Sequence, residues 1–357
     1  MTPNPLYQLT PSSDPNQLDK KDFQTNQDIR WCPGCGDYSI LKQVQTVLPT
    51  LGIPKEEIVV VSGIGCSSRF PYYMNTYGLH TIHGRAPAVV SGIKSLRPEL
   101  SVWMITGDGD ALSIGGNHLI HLLRRNMDIK VLLFNNQIYG LTKGQYSPTS
   151  EQGKRTKSTP LGSLEEPFNP IRLALAAGAS FVARSVDVDP KHLQETLRAA
   201  ASHKGTALIE IYQNCNIFND GAFENVTNRK TKADHQLVLR AGEPLLFGAK
   251  KDKGLIFNSQ NMRFEVASVA DVGLEAIYIH QPSNQVASQL LAELSLPDTP
   301  VPIGVIHQSE RVTYDQAMTE QIEQARRDFM KVEPSAPIPP RPKLQSLLES
   351  GETWFVQ

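Results

Sequence analysis

Cysteine is scarce in this chain of 357 residues: there are four, Cys32, Cys35, Cys66 and Cys215. In a cytosolic protein so few thiols stay reduced unless they bind a metal or do redox work, so each has to be placed. Charge of one sign is missing too. Lys plus Arg number 35 against 36 Asp plus Glu, a formal net charge of −1. Nucleic-acid binders usually carry a basic excess or stripe, and only Lys154-Arg155-Thr156-Lys157 hints at one. That run reads first as a solvated loop and second as a docking patch for an anion. No window reaches the roughly 18 consecutive apolar residues of a membrane span, and the N-terminus has no charged-then-apolar secretory pattern. The expectation is a soluble, cytoplasmic protein with neither nucleic acid nor membrane as partner. The sequon Asn225-Val226-Thr227 means nothing in that compartment. A glycine-rich phosphate loop ending in Gly-Lys-Ser/Thr is absent. Gly63-Ile64-Gly65 imitates the start of a dinucleotide fingerprint, but Ser68 stands where its third glycine belongs.

What is present is an alternation of strands and helices. From Asp37, apolar residues at Tyr38, Ile40, Leu41, Val44, Val47 and Leu48 follow helical spacing, with Asp37 as N-cap and Gly52 as stop. Apolar runs at Ile58–Val61, Val102–Thr106 and Lys130–Phe134 read as buried strands. Helices are expected over Ala111–Arg125, Ile171–Ala177 and Pro190–His203, with strands at Phe181–Val186 and Ala207–Tyr212. This pattern predicts an α/β fold: a doubly wound parallel sheet with helices on both faces. Residues 1–28 read as an irregular arm, 29–250 as the domain, and 251–357 as a C-terminal extension. The extension is expected to be partly extended through the proline-rich Val332–Pro342 and to contact a partner.

The sharpest signal is Gly107-Asp108-Gly109 at the end of one strand and Asn135-Asn136 at the end of the next. In a parallel sheet both lie on the carboxyl edge, where ligands bind. A helix follows the first turn and aims its amides at that edge. Glycine lets backbone approach a ligand closely. Asp108 offers an anionic oxygen and Asn136 a neutral one, a donor set that suits Mg²⁺ shared with phosphates. The site looks built for a diphosphate–Mg²⁺ pair. The cysteines are less decisive. Cys32-Pro33-Gly34-Cys35 is a close pair, while Cys66 and Cys215 are distant singles. A [4Fe–4S] cluster, a zinc site, or one redox pair with two inert thiols all fit that spacing.

Gly107-Asp108-Gly109 through Asn135-Asn136 resembles the thiamine-diphosphate motif. Trp31-Cys32-Pro33-Gly34-Cys35-Gly36, Gly63-Ile64-Gly65-Cys66-Ser67, His83-Gly84-Arg85-Ala86, Tyr139-Gly140-Leu141-Thr142-Lys143-Gly144-Gln145 and Ser147-Pro148-Thr149 extend the likeness. Together they resemble the β subunit of 2-oxoacid:ferredoxin oxidoreductases over roughly residues 30–250. The resemblance implies that Asp108, Asn136 and the main-chain carbonyl of Ile138 ligate Mg²⁺. It implies a thiamine diphosphate pocket formed by Ile64, Gly65, Cys66, Ser67, His83, Gly107, Asp108, Gly109, Asp110, Asn136, Ile138, Gly140 and Leu141. It implies that Cys32, Cys35, Cys66 and Cys215 bind a [4Fe–4S] cluster.

The implied reaction is oxidative decarboxylation of a 2-oxoacid with coenzyme A, giving acyl-CoA, CO₂ and reduced ferredoxin. The implied partners are an α subunit, in an αβ or (αβ)₂ assembly, and ferredoxin. The activating glutamate and much of the coenzyme A site would come from the α subunit, so this chain alone is expected to be inactive. His83 is expected to face the cofactor. Many relatives read Thr-Gly-Gly-Gln where this chain has Thr142-Lys143-Gly144-Gln145, so Lys143 is expected to favour 2-oxoglutarate over pyruvate by binding its distal carboxylate. His118 and His121 share a helix face, and packing is the expected reason. Two rival classes stand beside this reading. A non-oxidative thiamine decarboxylase or carboligase would need no cysteine quartet. A zinc-stabilised, non-catalytic subunit would need no diphosphate motif.

Overall fold

The computed structural model describes Asp14 and residues 17–330. The proline-rich stretch from Val332 lies outside the described residues. The chain divides into one unit through Tyr314 and a second from Asp315. Within the second unit, the helix Tyr314–Met330 is the element described.

The first unit is built on an eight-stranded sheet. Its strands are β1 (Ile58–Ser62), β2 (Tyr77–His80), β3 (Ser101–Gly107), β4 (Ile129–Asn135), β5 (Phe181–Val186), β6 (Ala207–Tyr212), β7 (Gln236–Val238) and β11 (Val301–Gln308). The order is β2-β1-β3-β4-β6-β5-β11-β7. All neighbours run parallel except β11 and β5, which are antiparallel. The strand runs read from the sequence fall on β1, β3, β4, β5 and β6 to within a residue or two. All seven residues of β4 are buried, as a central strand covered on both faces requires.

Strand side chains alternate between two cores. Val59, Val61, Met104, Val131 and Leu133 face α2 (Ala86–Leu96), α4 (Gly116–Arg125) and α5 (Pro170–Ala176). Ile58, Val60, Trp103, Ile105 and Leu132 face α1 (Asp37–Val47) and α6 (Pro190–Ser202). Helices on both faces are therefore what the period-2 strand pattern demands.

Three local expectations are corrected. Asp37 does not cap α1: Gly36 is the cap residue and Asp37 is the first, buried residue of the helix. The helix after Gly107 begins at Asp108 as α3 (Asp108–Leu112) and breaks before α4. The break lets the turn at Gly115 press on Gly84, where an added Cβ would stand 2.6 Å from the Gly115 nitrogen. Finally, residue 250 is no boundary of the sheet. A small antiparallel sheet of β8 (Leu246–Phe247), β9 (Lys253–Asn258) and β10 (Arg263–Ser268) packs into the same core, and β11 completes the main sheet.

Candidate functional site

Five parallel strands end at one edge, and each is followed there by a residue singled out from the sequence. Cys66 follows β1, His83 follows β2, Asp108 follows β3, Asn136 follows β4 and Cys215 follows β6. Strand register enforces this meeting: Gly107 pairs with Phe134, and Asn135 with Tyr212. β1 has β2 on one side and β3 on the other, so chain direction across the sheet switches here, the usual place for a ligand crevice.

Three adjoining cavities open on this edge, and two of them hold the residues singled out from the sequence; the third, about 530 Å³, shares Ile64, Gly65 and Leu141 with the first. The first, about 100 Å³, is lined by every residue expected to form a thiamine pocket, from Ile64 through Leu141. It is also lined by Phe134, which the sequence reading missed, and by Tyr139 and Thr142, which it quoted in a motif without assigning them to the pocket. Tyr139 packs against Gly109, where a Cβ would meet its ring at 2.2 Å, and its hydroxyl donates to the Gly109 carbonyl at 3.1 Å. The second cavity, about 220 Å³, is lined by all four cysteines together with Asn136, Gly140, Lys143 and Gln213. Cys66, Asn136, Gly140 and Leu141 belong to both walls.

The first cavity is organised by two buried carboxylates. Oδ2 of Asp108 accepts hydrogen bonds from Ser147 at 2.5 Å and Thr149 at 2.6 Å. Burial pushes the Asp108 carboxyl up to about 6, and the two hydroxyls hold it from rising further. A buried carboxylate with one oxygen already saturated is a natural divalent-cation ligand, because the cation offsets the desolvation cost. Asp110 accepts from Ile64 N, Gly84 N and His83 on Oδ1, and from Thr106 on Oδ2. It thus ties three turns into one wall. The Ser67 hydroxyl is buried beside Gly107 without a hydrogen-bond partner among the described residues. Such an orphaned donor suits a polar ligand, so the residues fit a diphosphate with its metal.

A buried chain supports this wall from behind. Asn135 donates to Glu210 at 2.8 Å, and Glu210 pairs with Arg184 at 2.7 Å. Arg184 in turn donates to the Pro302 carbonyl on β11 at 3.2 Å.

The thiols form a second electrostatic unit. Burial, the Asp37 charge and the neighbouring sulfurs push Cys66 up to about 12, and the same causes raise Cys35. Left without positive charge these groups stay protonated. A metal centre would reverse that. Among the described residues, no three His, Cys, Asp or Glu side chains close on a point as ligands of a single ion do. The four sulfurs surround a cavity instead. Asp37 lies beneath them. Burial with the nearby Asp187 pushes it up to about 7, and its contact with the Cys35 thiol holds it from rising further.

Lys143 does not line the first cavity. It stands exposed at the rim of the second, in a left-handed conformation with φ of 76°. His118 and His121 are half-buried on α4, away from both cavities. Lys154, expected in a solvated loop, donates to Asn219 at 2.6 Å.

The fold and this edge define an α/β subunit whose site suits a diphosphate cofactor, and comparison with known proteins gives the class. Residues 63–211 match the family described as thiamine pyrophosphate enzyme, C-terminal TPP binding domain. The chain is 52% identical to the 2-oxoglutarate oxidoreductase subunit KorB of Mycobacterium tuberculosis, over 94% of this chain and 88% of that protein. It is 50% identical to the β subunit of 2-oxoacid:ferredoxin oxidoreductase 1 of Aeropyrum pernix, over 53% of this chain and 60% of that protein. A solved structure of 2-oxoglutarate:ferredoxin oxidoreductase from Magnetococcus marinus, with 2-oxoglutarate, coenzyme A and succinyl-CoA bound, superimposes with a TM-score of 0.71 at 31% identity. That match covers 89% of this chain and 97% of the other. The chain belongs to the β subunits of the 2-oxoacid:ferredoxin oxidoreductases. Among the described residues no helix is long and apolar enough to cross a membrane.

Proposed function

We propose that this chain is the cofactor-bearing β subunit of a 2-oxoglutarate:ferredoxin oxidoreductase, which converts 2-oxoglutarate and coenzyme A to succinyl-CoA and CO₂ and passes electrons to ferredoxin. One observation carries this reading: the diphosphate-type cavity and the four-cysteine cavity share the walls Cys66, Asn136, Gly140 and Leu141. Carbon chemistry and electron acceptance are thereby set side by side.

In this reading Asp108, Asn136 and the Ile138 carbonyl hold Mg²⁺, and Cys32, Cys35, Cys66 and Cys215 hold a [4Fe–4S] cluster. When bound, thiamine diphosphate supplies the electron sink for decarboxylation, and the cluster supplies one-electron acceptance. The protein's own work is positional. Ser147 and Thr149 orient Asp108. Asp110 fixes the turns of Ile64 and His83. His83 presents its second ring nitrogen to the cavity. Lys143 supplies a cation for the distal carboxylate of the substrate, and its left-handed backbone, costly for a lysine, supports a selected role. All four cysteines line one cavity of about 220 Å³, room that favours a cluster over a single zinc ion.

The first cavity by itself is smaller than the ~300–1,000 Å³ of a typical enclosed ligand site, and its walls Ile64, Gly65 and Leu141 also line an adjoining cavity of about 530 Å³, which leaves a face of the cofactor site for a second surface to cover. An α subunit fits. The edge strand β2 is exposed along its length, and Tyr77, Leu79 and Ile82 present apolar surface beside the site.

The test is elemental analysis of the chain purified without oxygen and supplied with thiamine diphosphate. About four iron and four sulfide per chain, the content of one [4Fe–4S] cluster, with bound magnesium, is the expected result. One zinc and no iron would overturn the electron-transfer assignment.

A further inference from the structure

One buried side chain touches both halves of the site, and the sequence reading passed over it. Gln213 is the first residue after β6 and is 1% exposed. Its backbone N–H donates to the Asn135 carbonyl at 2.9 Å, extending the sheet register by one residue. Its side chain then spans the gap between the two cavities. Oε1 accepts from Nδ2 of Asn136 at 2.8 Å. Nε2 donates to the Asn214 carbonyl at 2.6 Å and to Sγ of Cys35 at 3.3 Å. Gly36 makes the room: a Cβ there would stand 3.0 Å from the Gln213 Cγ.

The orientation of both amides follows from one fixed acceptor. The Asn214 carbonyl can only accept, so it selects the –NH₂ end of Gln213. The same –NH₂ group has a second proton, and that proton meets the Cys35 sulfur. The oxygen of Gln213 is left facing Asn136 and can only accept, so it selects the –NH₂ end of Asn136. The Asn136 oxygen must therefore point the other way, toward the Ile138 N–H and the first cavity. A flipped Asn136 would offer a cation two protons instead of a lone pair.

We propose that Gln213 is a positioning residue shared by the two centres: it sets the amide of Asn136 as an oxygen ligand for Mg²⁺ and donates an N–H···S hydrogen bond to the Cys35 thiolate of the cluster. The proposal rests on the reading of the two cavities given above. Hydrogen bonds to cluster sulfurs stabilise the more negative, reduced state and raise the reduction potential. Outer-shell groups of this kind typically control metal affinity by about 10–100-fold.

The experiment uses the assembled αβ enzyme and Gln213→Met, which keeps the volume and removes both polar ends. Iron and sulfide are measured first. A parent enzyme without a cluster would sink the functional reading itself, not the role of Gln213. With the cluster loaded, Gln213→Met is expected to shift the midpoint of the cluster's EPR-monitored redox titration to lower potential. It is also expected to raise the Mg²⁺ concentration needed for half-maximal thiamine diphosphate binding by about 10-fold. A loaded variant that keeps the parental value of either quantity overturns the proposal. Should Gln213→Met fail to load, the parent enzyme decides the question. Side-chain ¹⁵N-glutamine labelling is expected to add a weak nitrogen coupling to the reduced cluster in pulsed EPR, and its absence overturns the sulfur contact.

Discussion

Nδ1 of His83 lies 2.6 Å from Oδ1 of Asp110. His83 comes from the turn after β2 and Asp110 from α3, the short helix after β3, and the contact closes one wall of the first cavity. Oδ1 of Asp110 already accepts from the N–H groups of Ile64 and Gly84, so it meets His83 as an acceptor; His83 donates from Nδ1 and keeps Nε2 for whatever occupies the cavity. Gly63 is part of the same arrangement, because a Cβ there would stand 1.9 Å from Oδ2 of Asp110.

Asp110→Asn should therefore disturb more than one bond. An amide keeps one oxygen for Ile64, Gly84 and His83 but sets its –NH₂ where Oδ2 now accepts from Thr106, whose hydroxyl has to reverse its role. Thiamine diphosphate affinity is expected to fall about 10–100-fold, as for other outer-shell ligands. Fluorescence titration of the assembled enzyme with the cofactor checks this. Binding within two-fold of the parent would show that the three turns are held by something else.

Thr149→Val tests the support of Asp108, and removes with it the 2.9 Å contact of the same hydroxyl with Oδ1 of Asn135. The variant removes the 2.6 Å hydroxyl and leaves Ser147 in place. Loss of one hydrogen bond to a buried carboxylate costs about 1–3 kcal/mol. The expected result is weaker Mg²⁺ retention, measured as the magnesium still bound after gel filtration, with an unchanged iron content. A parallel loss of iron would mean that the variant disrupts the whole edge.

Lys143 can be tested with two variants that differ in backbone cost. Lys143→Met keeps the left-handed strain, while Lys143→Gly relieves roughly 1 kcal/mol of it. Both should lower the ratio of kcat/KM for 2-oxoglutarate over pyruvate by at least about ten-fold, the worth of one charged hydrogen bond. Thermal stability should hold or rise only in Lys143→Gly. An unchanged preference in both variants refutes the role in distal carboxylate recognition.

His203 supplies a pH dependence remote from the chemistry. Its Nε2 is 2.7 Å from the Ser180 hydroxyl, and its ring packs on Phe181. Burial, then the Lys130 charge, pushes it down to about 4. Its ordinary value is about 6.5, so above that pH both folded and unfolded chains hold it neutral and stability is complete. As pH falls from about 6.5 toward 4, the unfolded chain takes up a proton that the folded chain refuses, and stability falls. The thermal midpoint should drop between pH 7.5 and 5, and His203→Gln should flatten part of that drop. Identical pH curves would assign the loss to other groups.

Much of this protein was legible before its structure. Ile58–Val61, Val102–Thr106 and Lys130–Phe134 are apolar runs because their strands are covered on both faces, and burial of that kind writes itself into local sequence. The turns that carry Cys66, Asp108 and Asn136 follow such strands directly, so their common edge could be inferred from parallel winding alone. The motif residues of the first cavity were legible for the same reason.

The tertiary structure decided the rest. Asp108 meets Ser147 and Thr149 across 39 and 41 residues, and Arg184 reaches the Pro302 carbonyl across 118. Gln213 finds Cys35 across 178. None of these pairs has a periodicity or spacing that marks it in the chain. β11 is of the same kind: Val301–Gln308 joins the sheet beside β5 because the chain returns there after a separate small sheet, and an isolated apolar run cannot announce which neighbour it will pair with. Local chemistry settled which residues could serve as strand, turn or ligand. Long-range packing settled which of them share a hydrogen bond, because only the folded chain brings distant donors and acceptors into the few ångströms over which such bonds act.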